Sequence, residues 1–463
     1  MDSNHVEGHA YMSIFRIMDT ALKILSDSGI DQYEVYAIDE ARMKTEALDG
    51  QVDSFERSRT RGLAARVLVE KRLGFSYCTE DSPEAVRQCV LRAIDGAKGS
   101  APDHLYSLTP PTERGVMNHS PAQNVAIYDP SMKEVDEVEK IQRALALEKS
   151  ARDFDRRIVK THRASYQEVE VRVWLKNSLG LDLNAEATRA YCQIMAIAAQ
   201  GNEQEMGWEF DSSCTYAGLD VERVGREAAR KAVEMLGAKG VPSGRYHVLF
   251  EPGAAAEMVE FVSASFVAEN VLKHKSMLAD KLHQKAFSPL ISMVDDGLKD
   301  GGLGSFPFDG EGSPSQTTTV VEKGTVSTFL CDRYCARRME TGSTGNSQRN
   351  SIFAPPTVGV TNFFIRNGET APAALIRDVS SGLVVRELMG MHTANPVTGD
   401  FSLGATGFWF RGGEPAHPVK GIALAGNVIE LLARVDGVGN DLRFLHTIGA
   451  PSIRVEMLDV SGQ

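Results

Sequence analysis

Residues 244–261 read GRYHVLFEPGAAAEMVEF. The first seven form a β-rich run closing on Val248, Leu249 and Phe250, and a Pro-Gly pair interrupts it. Apolar residues then recur at helical spacing through Met258, Val259, Phe261 and Val262. A strand end that feeds a helix is a good mount for chemistry, because helix-terminal N–H groups and first-turn side chains converge there. This first turn offers three alanines, Glu257 and Met258, with no nucleophile, His or Cys.

Phe266, Val267, Val271 and Leu272 extend the apolar surface, so the helix is expected to run to about Lys275 and to be largely buried. Beyond it the chain turns β- and Gly-rich. A hairpin is expected around Lys323-Gly324, strands at 358–368, 382–390, 401–415 and 419–428, and helices only at 331–340 and 427–434. The segment GAKGVPSG (237–244) is the expected domain boundary.

Upstream, residues 12–28 carry a helical stripe. Strands follow, with a hairpin at Asp49-Gly50 and a second bend at Arg61-Gly62, closing on LGFSY (73–77). A helix then opens at Pro83 with Ser82 as its cap. The order recurs: helix (130–154), strands closing on MGWEF (206–210), helix (220–237). Residues 12–98 and 131–237 therefore read as two copies of one helix–strands–helix pattern, joined by an ordered surface connection rich in Pro, Ser and Asn. The expected fold class is α+β, with an N-terminal α+β domain (1–237) and a mostly β C-terminal domain (238–463) wrapped on one buried helix.

A formal net charge of −12 over 463 residues argues against a nucleic-acid partner. The basic runs at 152–157 and 335–338 read as solvated helix faces. The N-terminus lacks the pattern of a signal peptide, and no window reaches the roughly 18 unbroken apolar residues of a membrane helix. Six scattered cysteines read as reduced thiols of a cytoplasmic protein.

The eleven histidines form no metal-binding spacing. Cys331 and Cys335 are spaced for one helix face but have no second ligand pair, so they read as small buried thiols. The Gly/Ser/Asn loop 341–351 is not a phosphate loop, and no Ser near 395–409 pairs with a base. Asn346, Arg349 and Asp400, polar residues in Gly-rich segments, are the candidates for substrate contact.

Four stretches together resemble the TldD/PmbA family: VDSFERSRTRGLAARV (52–67), the block from Asp295 to Asn346, GDFSLGATGFWFRGGEPAHPVKGIALAGN (399–427) and GVGNDLRF (437–444). The resemblance spans nearly the whole chain in the right order. It implies a peptidase family with two branches. TldD-type chains carry H-E-x-x-x-H on the helix after the Pro-Gly, giving two zinc-ligating His and a Glu base, with a C-terminal Cys as third ligand. Set on this sequence, those positions fall on Glu257, Met258 and Val262, and the tail NDLRFLHTIGAPSIRVEML (440–458) lacks the Cys-Gly segment. Catalytic zinc needs three protein donors and an open position for water, so no metal is expected in this chain.

The resemblance therefore implies the PmbA (TldE) branch, which bears the label "modulator of DNA gyrase". Its expected role is that of a subunit of a TldD–PmbA heterodimer that cleaves small or unfolded peptides, zinc being held by the TldD partner. The alternatives are a peptide-binding or chaperone-like homodimer, and an autonomous hydrolase using Cys331 or Cys335.

Overall fold

The structure, a computed structural model, describes residues 13–111 and 125–462. The first twelve residues and part of the Pro/Ser/Asn-rich connection lie outside the described residues.

The first half contains α1 (Ile14–Asp27), β1 (Gln32–Leu48), β2 (Gln51–Val69), β3 (Arg72–Cys78), α2 (Pro83–Gly99), α3 (Glu137–Arg152), β4 (Ile158–Asn177), β5 (Asp182–Gln200), β6 (Glu203–Ser213) and α4 (Val221–Glu234). The six strands make one antiparallel sheet in the order β3-β2-β1-β4-β5-β6, so the two repeats meet along the β1–β4 seam. Each helix starts on a side-chain cap. Ser82 Oγ, for example, accepts the Ala85 N–H at 3.1 Å, and Pro83 fills the first helical position.

The echo between LGFSY and MGWEF has a packing cause. A Cβ on Gly74 would clash with the Ala93 carbonyl oxygen and with Ala97 of α2, and one on Gly207 with the Ala228 carbonyl oxygen and Ala232 of α4. All four contacts would fall inside the 3.0 Å that real Cβ atoms respect. In both repeats the closing strand touches the closing helix through glycine against an alanine pair four residues apart. Adding a methyl group to such a contact forces the elements apart, at a cost of about 1–3 kcal/mol.

The second half contains β7 (Gly244–Phe250), α5 (Pro252–Ser263), α6 (Ala268–Leu272), β8 (Met293–Asp296), β9 (Thr317–Glu322), β10 (Thr325–Val326), α7 (Arg333–Arg338), β11 (Ser347–Gln348), β12 (Thr357–Val358), β13 (Phe363–Ile365), α8 (Pro372–Arg377), β14 (Ser381–Met389), β15 (Asp400–Arg411), β16 (Glu414–Asn427), α9 (Val428–Ala433), β17 (Val435–Val438), β18 (Arg443–Leu445), β19 (Ile448–Ala450) and β20 (Ile453–Ser461). Strands β16-β15-β14-β7-β20 form a sheet that closes on itself through a β16–β20 pairing, giving a five-stranded barrel. A second sheet has the order β10-β9-β8-β13-β19-β18. Helix α5 lies between the two, touching β7 and β14 on one side and β13, β18 and β19 on the other. Its buried face joins both sheets in one core.

Several elements differ from the sequence reading. Helix α5 ends at Ser263 instead of running to Lys275. After a tight turn at Ala264–Phe266 the chain turns extended at Val267, where Ala268 N donates to Leu330 O at 2.9 Å and Leu330 N donates to Phe266 O at 2.8 Å. A partner more than sixty residues away thus breaks a helix that local periodicity favours. There is no bend at Arg61-Gly62, because β2 pairs with β1 and β3 on its two edges. Gly62 instead leaves room for the Cys78 carbonyl and the Ile352 side chain. Helix α8 is an addition to the helices read from the sequence.

Gly74→Ala and Gly207→Ala are each expected to lower stability by about 1–3 kcal/mol. Gly96→Ala, a helical position with open space around its Cβ, is expected to raise it by up to about 1 kcal/mol. Thermal melts of the three variants followed by circular dichroism check this.

Candidate functional site

Strand β7 and helix α5 meet at Glu251, whose N–H donates to Val385 O of β14 at 2.9 Å. Pro252 occupies the first helical position, where a missing N–H costs nothing. Ala254, Ala255 and Ala256 are all at most 1 % exposed. Their small size lets the first turn press against both sheets.

Glu257 follows, half-buried, and no described residue donates a hydrogen bond to its carboxylate. Burial, then the carboxylates of Glu387 and Glu260, push its pKa up to about 7. Met258 and Val262 point into the core and are 2 % and 0 % exposed. Met258 lines a small apolar cavity with Phe250, Phe401 and Leu424. The three positions therefore present one carboxylate, one core thioether and one aliphatic group. That set does not fit a zinc ion, and no described group of three or more His, Cys, Asp or Glu is arranged to hold one.

A cleft of about 770 Å³ opens between the N-terminal sheet and the second half. Its sheet wall is the face opposite the helices, since side chains alternate along a strand. Val35 and Ala37 pack into the helix-side core, while Tyr36, Ile38, Glu40 and Arg42 face the cleft. The opposite wall comes from residues 303–310, the 345–353 loop and His446-Thr447. His446 stacks on Phe210 with ring centroids 4.4 Å apart. Partial desolvation lowers its pKa, against an opposing pull from Glu260, so it is disposed to be neutral.

The walls are joined by a buried ion network. Arg66 donates to Glu34 and to Glu311, both at 2.8 Å, and Arg349 pairs with the other Glu34 oxygen while stacking on Tyr36 at 4.5 Å. The Glu311 carboxylate also accepts the Arg333 backbone N–H at 3.1 Å. Asp309 receives backbone N–H groups from Glu311, Ser313 and Ser347. Burial and the neighbouring Glu311 carboxylate nonetheless hold its pKa above the usual carboxylate range.

Among the three residues selected for substrate contact, Arg349 lines the cleft. Asn346 is 1 % exposed. Its amide donates to Asp295 at 2.6 Å and to Gly359 O at 3.1 Å, and its oxygen accepts from Thr344 at 2.7 Å. Asp400 does not line the cleft. It is exposed and accepts hydrogen bonds from Thr398 and Asn427, which lower its pKa, at the end of the β15–β16 hairpin. The structure does not bring the three together. Glu34, Arg66 and Glu311 carry no motif that marks them in the sequence, although Glu34 and Arg66 each interrupt an apolar strand.

All six cysteines are free and buried. Burial, followed by Asp332, pushes the Cys331 thiol up to about 12, and the same two causes raise Cys335.

Three models of one metallopeptidase family cover most of the chain, the last of them spanning the strand, turn and helix that carry Glu251 to Val262. Residues 33–97 match the PmbA/TldA metallopeptidase domain 1, residues 130–236 its central domain and residues 243–462 its C-terminal domain. The chain belongs to the PmbA/TldD metallopeptidase family. It is 25 % identical over 448 residues to the metalloprotease PmbA of Escherichia coli O157:H7, covering 96 % of this chain and 95 % of that one. A Thermotoga maritima protein, described as a candidate modulator of DNA gyrase, superposes with a TM-score of 0.87 at 26 % identity, covering 97 % of this chain and all of that one. The fold is also that of TldE from Thermococcus kodakarensis, with a TM-score of 0.85 at 23 % identity over 97 % of this chain and 100 % of that one. No helix among the described residues is long and apolar enough to cross a membrane.

Two predictions follow from this geometry. Glu257 carries a folded pKa of about 7 against an ordinary 4.5, so its ionisation opposes folding, and native stability is lost as pH rises from about 4.5 through about 7. Glu257→Gln removes that loss and should be more stable than the parent by about 1–3 kcal/mol at pH 8, with the difference vanishing near pH 4. Melting temperatures of both proteins across this range check it. Arg66→Met leaves two buried carboxylates short of a cation and should cost about 3–5 kcal/mol, read as a lower midpoint of urea unfolding.

Proposed function

We propose that this chain is the PmbA/TldE-like subunit of a TldD–PmbA heterodimeric metallopeptidase. The chain supplies chamber wall and substrate groove, and a TldD-type partner supplies zinc and the general base. Substrates are small or unfolded peptides, bound extended so that backbone is read more than side chains. The observation that carries this reading is the donor set on α5: Glu257, a core Met258 and Val262 cannot hold a catalytic metal. The family's association with DNA gyrase is then understood as processing of peptides that act on gyrase. A net charge of −12 favours no direct contact with DNA, and the proposed location is the cytoplasm.

A homodimeric peptide-binding or chaperone-like protein is the second reading, and the same cleft would serve it. A cysteine hydrolase draws no support, because Cys331 and Cys335 are buried and their thiols are held protonated.

The test is to purify the chain alone and with a TldD-type partner, to follow cleavage of an unfolded peptide, and to measure bound zinc by atomic absorption. The expected result is cleavage and stoichiometric zinc only in the pair. Zinc-dependent cleavage by the lone chain would overturn the proposal, and a metal-free self-pair that never associates with the partner would favour the second reading.

A further inference from the structure

Guanidiniums outnumber carboxylates in the lining of the cleft, although the molecule as a whole is acidic. The walls contain Arg42, Arg189 and Arg349 against Glu40 and Asp309, in a chain whose net charge is −12. Arg349 is committed to Glu34 behind the wall. Asp309 is buried, and its charge is disfavoured there. Arg42 pairs with Glu40 at 2.6 Å, but its side chain is 52 % exposed, and such a pair is readily exchanged for another.

Arg189 differs from these. It is half-buried, its Nε donates to Leu303 O at 3.1 Å, and among the described residues it has no carboxylate partner. No other described residue takes its remaining guanidinium N–H groups, which suit planar, bidentate recognition. Strand register adds a second cation. Arg42 stands opposite Val169, and Val169 opposite Arg189, so the two arginines share one row of the sheet face, two strands apart. At the usual strand spacing that is about 10 Å, within reach of a single carboxylate for two long side chains. Apolar groups border the row: Val171, Val173, Tyr191 and Phe306.

We propose that Arg189, supported by Arg42, is the carboxylate-reading residue of this cleft, selecting extended peptides that present an acidic side chain or a C-terminal carboxylate beside apolar residues. This rests on the peptide-binding role proposed above and adds a side-chain preference to a site otherwise read through backbone. The other guanidiniums behind this wall are spoken for: Arg66 by Glu34 and Glu311, and Arg349 by Glu34.

Both described walls of the cleft come from this chain, so the full-length chain without a partner is the reagent. Three fluorescein-labelled unstructured decapeptides of matched apolar content serve as probes: one with an internal Glu and an amidated end, one with no acidic side chain and a free C-terminal carboxylate, and one neutral and amidated. Binding is read by fluorescence anisotropy for the parent, Arg189→Gln, Arg189→Lys and Arg42→Gln, with melting curves as the check on folding.

The expected result is that at least one carboxylate peptide binds the parent roughly tenfold tighter than the neutral peptide. The arm that gains shows which carboxylate is read. R189Q should abolish the preference while leaving the neutral peptide's affinity within about twofold, R189K should retain part of it, and R42Q should reduce it less than R189Q. Equal binding of all three peptides to the parent, or a preference that survives in a folded R189Q, would overturn the carboxylate reading and leave the peptide role standing. Failure of all three peptides to bind the parent would overturn both.

Discussion

Glu34, Arg66, Glu311 and Arg349 are charged, buried, and drawn from both halves of the chain, so none of them is tolerable without the others. Taking such groups out of water costs several kcal/mol per ion, returned only when each meets a partner in good geometry. Two carboxylates here meet two guanidiniums within hydrogen-bonding distance. The halves can dock in one arrangement without leaving a buried charge bare. That arrangement sets the cleft, because Arg349 belongs to one wall and Tyr36, on which it stacks, to the other. The network therefore contributes to specificity of docking more than to net stability.

The helix after the Pro-Gly turn follows a different logic. Its place is fixed by packing between a closed barrel and a mixed sheet, and that packing is indifferent to whether the first turn carries chemistry. Alanine fits where the backbones crowd, and Met258 and Val262 extend the core. Glu257 is the residue that packing does not explain. It is a half-buried carboxyl near two other carboxylates, and its charge is disfavoured at neutral pH. In the proposed division of labour the scaffold is kept and the metal is delegated to the partner chain.

Much of this was legible in the sequence where the deciding interactions are local. Ser82 before Pro83 announced the α2 cap, Asp49-Gly50 its hairpin, and the paired LGFSY and MGWEF endings a repeated order of elements. What failed was decided at long range. The end of α5 depends on Leu330, and Gly62 is set by Cys78 and Ile352 instead of by a turn. Asn346 and Asp400 looked available because they sit in Gly-rich, polar stretches. One spends its amide on Asp295 and the other accepts from its own hairpin, which residue type alone could not reveal. Glu34 and Arg66 carried a usable signal, since a charge inside an apolar strand requires a partner. They are partners of each other 32 residues apart, but the groups that complete the network, Glu311 and Arg349, lie more than two hundred residues downstream.

The barrel has one more consequence, which concerns the order in which the protein is made. Its first stave is β7 and its last is β20, which pairs with β7 from Gly244 to Phe250 and also with β16. Some two hundred residues of chain must leave the ribosome between them. Until they do, the α5 helix has only part of its surroundings, and the apolar edges of β7 and β16 stay open to any other strand. The first half, whose sheet and helices pair within residues already synthesised, can mature meanwhile. The nascent protein is thus most exposed to misassociation in a window that closes only when Ile453–Ser461 arrives.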